Sequence, residues 1–332
     1  MKEKLEALAA EIADYREGDI PRPDADHVGR WLAQFDADER EPLLDELIHV
    51  WSKTYFSKAS ARDFIGHVIS ADKLAGADPK AFWAATNVLD TQKNGHSQRD
   101  LRSLFAEELL KATGLSLSCC GGSNRFVYLD DVLFTGNRIQ HDLKRWLVNA
   151  PQVAEVHVIL LAYYRYGEWT TDTELKAEAS RLGKTINFTF WRALEWENRK
   201  YYRFNSDVLW PTRLPPEATG YDQGRFPLVP RAPGGLGSLF SSDARRDVIE
   251  QALLNAGLRI RSFSANPKQI LRPLGFGEFG VGFGSLFLSY RNCPNNSPLA
   301  LWWGGRTNPP SHPFNKWYPL VPRRTYGGDD DF

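Results

Sequence analysis

Two adjacent carboxylates, followed four residues on by a threonine, a glycine and a basic residue, single out one stretch of this chain for chemistry. Residues 126–138 read Phe-Val-Tyr-Leu-Asp-Asp-Val-Leu-Phe-Thr-Gly-Asn-Arg. An apolar run leads to Asp130 and Asp131, a second apolar patch follows, and then come Thr135, Gly136, Asn137 and Arg138. A helix-like run begins at Ile139. A short apolar run bounded by turn residues reads as a buried strand ending at the acids. A strand, a small turn and a helix opening at that turn form an anion cradle, because the first N–H groups of the helix and its positive dipole end face the turn. Carboxylates accept from vicinal hydroxyls and hold hard cations. A ligand with hydroxyls, a metal and a phosphate fits this pattern, and a phosphorylated sugar is such a ligand.

The acidic pair admits three readings. In the first, two acids end a strand and cap the next turn, a structural role common for Asp. In the second, Tyr128-Leu129-Asp130-Asp131 is the YxDD signature of a nucleotidyl transferase, with the acids on two metal ions. That signature sits in a hairpin and needs a further acid on an upstream strand, whereas the sequence here turns into a helix and offers no such strand. The third is a phosphoribosyl site.

Leu129 to Arg138 resembles the loop that binds phosphoribosyl pyrophosphate (PRPP) in type I phosphoribosyltransferases: apolar residues, two acids, two apolar residues, small residues, then Thr-Gly. The resemblance implies an α/β fold with a mostly parallel sheet and helices on both faces. It implies that Asp130 and Asp131 hold the ribose hydroxyls directly or through magnesium, and that Thr135, Gly136, Asn137 and Arg138 hold the 5′-phosphate. Two departures stand out: Phe134 occupies a place the family gives to a small residue, and Tyr128 is larger than its usual apolar counterpart. A second loop of such enzymes holds pyrophosphate. Its counterpart here is residues 92–97, with Lys93 and Ser97, followed by Arg99 and Arg102 on the next helix. The base-recognition segment would follow a strand ending near Phe190, where Trp191, Glu197 and Asn198 can stack on a base and read its edge.

More widely, Gly95–Arg99, Asp131–Arg138 and Asn292–Pro298 leading to Trp302 make the chain similar to the phosphoribosyltransferase-like proteins of bacterial conflict and antiphage systems. That similarity implies an antiphage effector acting on nucleotides, with a protein partner in a defence complex. A non-catalytic nucleotide or phosphosugar sensor on the same fold stands as the alternative, since fold does not decide turnover.

The chain has 332 residues, 42% hydrophobic and 25% charged, with 41 basic and 41 acidic side chains. A net charge of zero gives no global pull toward nucleic acid or membrane surfaces, so anion binding must come from local groups. Three cysteines, two of them adjacent (Cys119, Cys120), make neither a disulfide framework nor zinc-ligand spacing. No run reaches the roughly 18 apolar residues of a membrane helix, and Met1-Lys-Glu-Lys-Leu5 does not read as a signal peptide. These features predict a cytoplasmic protein with reduced thiols. No Walker or Gly-x-Ser-x-Gly pattern is present.

Three regions should position the site. Residues 1–78 are helical, with stripes at Leu5, Leu8, Ile12 and Tyr15, at Val28, Trp31, Leu32 and Phe35, and at Leu43, Leu44, Leu47, Ile48 and Trp51. Residues 79–210 form the α/β core. It holds a strand over Phe82–Leu89 (with a helix as the alternative) and a helix with Leu101, Leu104, Phe105 and Leu109. The strand at 126–132, a helix over about 138–148, a strand over 153–162, a helix from about Thr171 to Leu182 and a strand over 185–190 follow. Residues 211–332, with 15 of the 20 prolines, form an extension packing on the core. It has an irregular stretch over 211–237, a helix capped by Ser241, a strand over 285–290 and a disordered acidic tail.

Overall fold

A computed structural model describes residues 1–91, 97–218, 220–221, 223, 226–235, 237–265, 267–277, 280–305 and 311–324, with the side chain of Ser97 excepted. The chain forms two compact units, Met1–Lys58 with Glu197–Phe332, and Ala59–Trp196. In chain order, α1 (Lys2–Glu11), α2 (Ala25–Leu32), α3 (Ala37–Thr54) and β1 (Tyr55–Phe56) open the first unit. The inner unit then runs α4 (Lys58–Ile69), α5 (Asp72–Ala75), α6 (Pro79–Ala84), β2 (Thr86–Val88), α7 (Ser97–Thr113) and β3 (Arg125–Leu133). It ends with α8 (Asn137–Leu147), β4 (Val153–Tyr164), α9 (Arg165–Arg181) and β5 (Thr185–Trp196). The chain returns to the first unit with α10 (Asp243–Arg261), β6 (Leu288–Ser289) and α11 (Leu299–Trp302).

In the first unit the apolar stripes of α1–α3 bury, as their helical spacing predicts: Leu8, Ile12, Val28, Trp31, Leu43, Leu47 and Trp51 are almost wholly enclosed. Buried indoles must place their N–H groups. Trp31 donates to the Ala300 carbonyl at 2.7 Å, Trp51 to Leu286 at 3.2 Å and Trp302 to Ser297 at 2.8 Å. The expected strand over 285–290 is reduced to β6, which pairs in parallel with β1 through Tyr55↔Leu288 and Phe56↔Ser289. Helix α10 is capped by Ser242, whose hydroxyl accepts from Arg245 N–H at 3.2 Å. Ser241, the expected cap, instead gives its N–H (2.9 Å) and its hydroxyl to the buried Glu46 carboxylate. Asn292 and Asn296 are held by main-chain groups of their own unit: the amide of Asn292 meets Arg324, and that of Asn296 donates to the Phe276 carbonyl. The acidic tail falls outside the described residues.

The inner unit carries the expected parallel α/β sheet flanked by helices, in the order β2-β3-β4-β5. Register aligns Tyr128, Val158 and Phe190, and one residue pair further on Asp130, Leu160 and Arg192. Tyr128, Val156, Val158, Leu160 and Phe188 share a core with Ile139, Leu143 and Leu147 of α8 and Leu175 of α9. Val127, Leu129 and Ile159, which strand alternation places on the other face, are also fully buried. Both faces of the central strands are therefore covered, as an all-parallel sheet requires. The order of the described strands runs without reversal, so this sheet contains no topological switch point.

Strand β3, expected over 126–132, runs over Arg125–Leu133 and so contains both acids. Three boundaries differ from the sequence expectation. Phe82–Leu89 divides into the end of α6 and β2. Helix α9, expected from about Thr171, starts at Arg165 and takes in Gly167, where a close backbone approach described below requires glycine. Strand β5 extends to Trp196 because β4 offers partners that far, Ala162↔Leu194 and Tyr164↔Trp196.

Candidate functional site

The two acids lie inside a strand whose register holds across them. Register passes from Asp130↔Leu160 to Val132↔Ala162. At the acids, Asp131 N–H donates to Asp130 Oδ1 at 2.9 Å, and Val132 N–H donates to Asp131 Oδ1 at 2.8 Å. Short acidic side chains compete with the ladder for such groups. Asp130 is buried and Asp131 half-buried. Strand β3 leads into α8 and a parallel neighbour, so the acids do not occupy the hairpin turn that the nucleotidyl-transferase reading requires.

Asp130 Oδ2 also faces the phenol of Tyr128 at 3.3 Å, and the same hydroxyl lies 3.1 Å from Asp142 Oδ2 on α8. Burial first, and then the charges of Asp130 and Asp142, push the Tyr128 phenol up, so it remains a proton donor. Sequence reading noted Tyr128 only as a departure and missed Asp142, whose signal was a lone acid on the apolar face of a helix.

Beyond the acids, the loop is seated on α9. Gly136 has φ +83° and caps α8, and as a glycine it brings no side chain of its own to that helix N-terminus. A Cβ at Gly136 would lie 1.8 Å from Thr171 Oγ1, and one at Gly167 would lie 1.9 Å from the Phe134 carbonyl oxygen. Only glycine fits either place. Gly136 is buried by this contact, while Thr135, Asn137 and Arg138 stay exposed around it. Phe134 stacks on Tyr164 at 5.5 Å and 25°, and Tyr164 in turn meets Trp196 at 5.4 Å. The departure at Phe134 thus belongs to an aromatic row across the ends of β3, β4 and β5.

Of the expected diphosphate residues, Lys93 lies outside the described residues, and so does the side chain of Ser97. Arg99 is exposed on the first turn of α7. Arg102 is engaged by Asp90 at 3.0 Å. Just before the undescribed segment, Thr91 N–H donates to Gln98 Oε1 at 3.1 Å, and the Thr91 carbonyl accepts from the Arg145 guanidinium.

Trp191 sits within β5 rather than in a loop after it, paired with Ile159, and its indole N–H donates to His157 Nδ1 at 3.3 Å. Glu197 and Asn198 belong to the other unit, where the Arg199 guanidinium donates to Glu197. A cluster that sequence reading did not single out stands at the ends of β4 and β5. Glu195 accepts from Tyr163 (2.9 Å), Arg165 Nε (2.9 Å) and Arg192 Nε (2.9 Å). Burial pushes the Glu195 carboxyl up, but hydrogen bonds from Arg165, Arg192 and Tyr163 outweigh it and bring it down to about 2. Tyr163 and Arg165 lie 30 or so residues from Glu195 in sequence, so only the strand register reveals them.

Among the described residues no group of three or more His, Cys, Asp or Glu side chains could cage a metal. Two neighbouring carboxylates nevertheless suit magnesium, which binds through one or two carboxylates and the phosphates of its substrate. No described helix is long and apolar enough to cross a membrane.

No curated protein and no solved structure gives a significant match. One family model does, PRTase-CE, over residues 28–323. That span runs from within α2 through the loop seated on α9, and on it the chain belongs to PRTase-CE, a phosphoribosyltransferase-like family.

Proposed function

We propose that the protein binds PRPP, or a nucleotide carrying ribose phosphate, at the carboxyl ends of β3–β5 and transfers the phosphoribosyl group to or from a nitrogen base. The observation that supports this reading best is the seat of the loop. Gly136 in its left-handed conformation, locked under Thr171, presents the N-terminus of α8, without a cap side chain of its own, beside the acids. Such a terminus suits a phosphate.

In this reading Asp130 and Asp131 accept from the ribose hydroxyls. Main-chain N–H groups of residues 136–138, with the Thr135 hydroxyl and the Arg138 guanidinium, hold the 5′-phosphate. Lys93, Ser97 and Arg99 neutralise the diphosphate. Magnesium, when bound with the substrate, offsets charge on the leaving pyrophosphate. The C1′–oxygen bond breaks as the nitrogen–C1′ bond forms, and the acceptor proton passes to solvent. Positive charge develops on the sugar, so positioning and fixed negative charge do most of the work. The family supports a transferase; an antiphage role, a defence-complex partner and a cytoplasmic site of action extend that proposal.

A thermal-shift series with magnesium and PRPP, ribose 5-phosphate, NAD or nucleotides tests binding, and pyrophosphate release over a panel of bases tests transfer. Stabilisation with release supports the transferase. Stabilisation without release over the whole panel points to a sensor, and no stabilisation by any phosphoribosyl ligand overturns the reading.

A further inference from the structure

In the first unit, residues 197–207 form a loop whose ends are tied together. Glu197 N–H donates to Asp207 Oδ2 at 2.8 Å, and Asp207 N–H donates to the Glu197 carbonyl at 2.7 Å. Compact loops with closed ends are frequently functional. The fully buried Arg246 anchors this one, donating to the Phe204 carbonyl at 2.8 Å and to Ser206 Oγ at 3.0 Å. A Cβ on Gly235 would meet the same Phe204 carbonyl oxygen at 2.3 Å, so the loop also rests against main chain. On this pinned base stands Arg199-Lys200-Tyr201-Tyr202-Arg203-Phe204, with three cationic and three aromatic side chains and no acid. Tyr201 is 84% exposed, Tyr202 43% and Phe204 37%. Single exposed rings are ordinary, but three within four positions of an anchored loop mark a surface that meets something.

We propose that this loop docks single-stranded nucleic acid, with Tyr201 stacking on a base and Lys200, Arg199 and Arg203 meeting phosphates. The Arg199 guanidinium lies 4.4 Å from the centre of the Tyr202 ring, and that of Arg203 lies 4.8 Å from the centre of Phe204. Each pair presents a positive charge and a flat ring together, which complements an anion carried beside a planar base. Tyr201 meets Tyr202 at 82° with ring centres 5.2 Å apart, and its exposure leaves ring surface for stacking. A duplex hides its base faces in its own stack, so these rings select an unpaired strand. A bilayer interior suits them less, because the guanidinium groups over Tyr202 and Phe204 would lose water as those rings entered. With zero net charge on the whole chain, the attraction is local to this loop. None of Arg199 to Phe204 is assigned to the phosphoribosyl group, so the docking site stands apart from that reading.

Fluorescence anisotropy of a labelled oligothymidylate of about 20 nucleotides, longer than one such site occupies, tests this by titration with the full chain. Tyr201→Ala is expected to weaken binding by about tenfold, as loss of one base–aromatic stack would. Its unfolding temperature should match the wild type, because that side chain stands almost wholly in solvent. Lys200→Gln, also at an exposed position, should lower the slope of log affinity against log salt by about 0.7, the share of one phosphate contact on a single strand. The same strand annealed to its complement should bind more weakly than the free strand. No binding of the strand by the wild type, equal binding of strand and duplex, or wild-type affinity in both variants overturns the proposal. So does binding to phosphatidylserine vesicles that Tyr201→Ala abolishes while the strand is ignored, since that assigns the loop to a membrane surface.

Discussion

Gly136 lies so close to Thr171 that a methyl group on it would stand 1.8 Å from the threonine hydroxyl oxygen. The contact joins the cap of α8 to the first turns of α9, while Gly167 brings α9 against the Phe134 carbonyl. Two glycines from separate elements therefore set the height of the loop above the sheet. The exposed Thr135, Asn137 and Arg138 are presented from that fixed base.

Gly136→Ala should cost at least about 1–2 kcal/mol from the left-handed backbone alone, with the collision adding to it. Thermal unfolding should show the loss, and phosphoribosyl binding should fall with it. Thr171→Ala removes the colliding oxygen, so the double variant should recover part of the stability. A double variant no better than Gly136→Ala would show that the contact does not set the loop.

Phe134→Thr restores the small residue of the resembled loop and removes the stack on Tyr164. A loss of about 0.5–1.5 kcal/mol is expected from the ring contact, read in denaturant unfolding, with ligand affinity changed less than by Gly136→Ala. An affinity loss exceeding that of Gly136→Ala would mean the ring touches the ligand.

Glu195 gives a pH dependence with a definite sign. Its carboxyl is lowered from the ordinary 4.5 to about 2 in the folded chain, with Arg165, Arg192 and Tyr163 outweighing burial. The unfolded chain takes up this proton first as pH falls. The stability Glu195 contributes is therefore complete above pH 4.5 and is lost progressively on the way down to about 2. The unfolding midpoints of wild type and Glu195→Gln should differ above pH 4.5 and converge toward pH 2. A gap of constant size across that range contradicts the assignment.

The elements around the site were legible because their cause is local. The apolar run of β3, the helical run after Gly136 and the stripes of α1–α3 each follow from side-chain periodicity. The contacts that seat the loop were not. Nothing near Gly167 in the sequence shows that Phe134, more than thirty residues earlier, is packed against it. Glu195 interrupts an apolar pattern and so hid the last residues of β5, although Arg165 and Tyr163 hold it in the sheet. Trp191 resembled a base-stacking residue by its place after Phe190, and the longer strand made it a partner of His157 instead.

In the first unit, Glu250 is fully buried between Arg231 (2.9 Å) and Arg246 (2.8 Å), and it also accepts from Trp210 N–H at 2.8 Å. Glu250→Leu strands Arg246 without its carboxylate and should cost about 3–5 kcal/mol, read by unfolding of the full chain. A variant as stable as wild type would contradict the weight given to this cluster.

The central claim is that the acidic pair and the loop after it bind a phosphoribosyl group. Calorimetric titration of PRPP with magnesium into the wild type and into Asp130→Asn/Asp131→Asn tests it most directly. The account predicts saturable, magnesium-dependent binding by the wild type and a loss of at least about a hundredfold in the double variant, the equivalent of two charge-assisted hydrogen bonds. Equal affinity in both proteins, or no binding by the wild type, would contradict it.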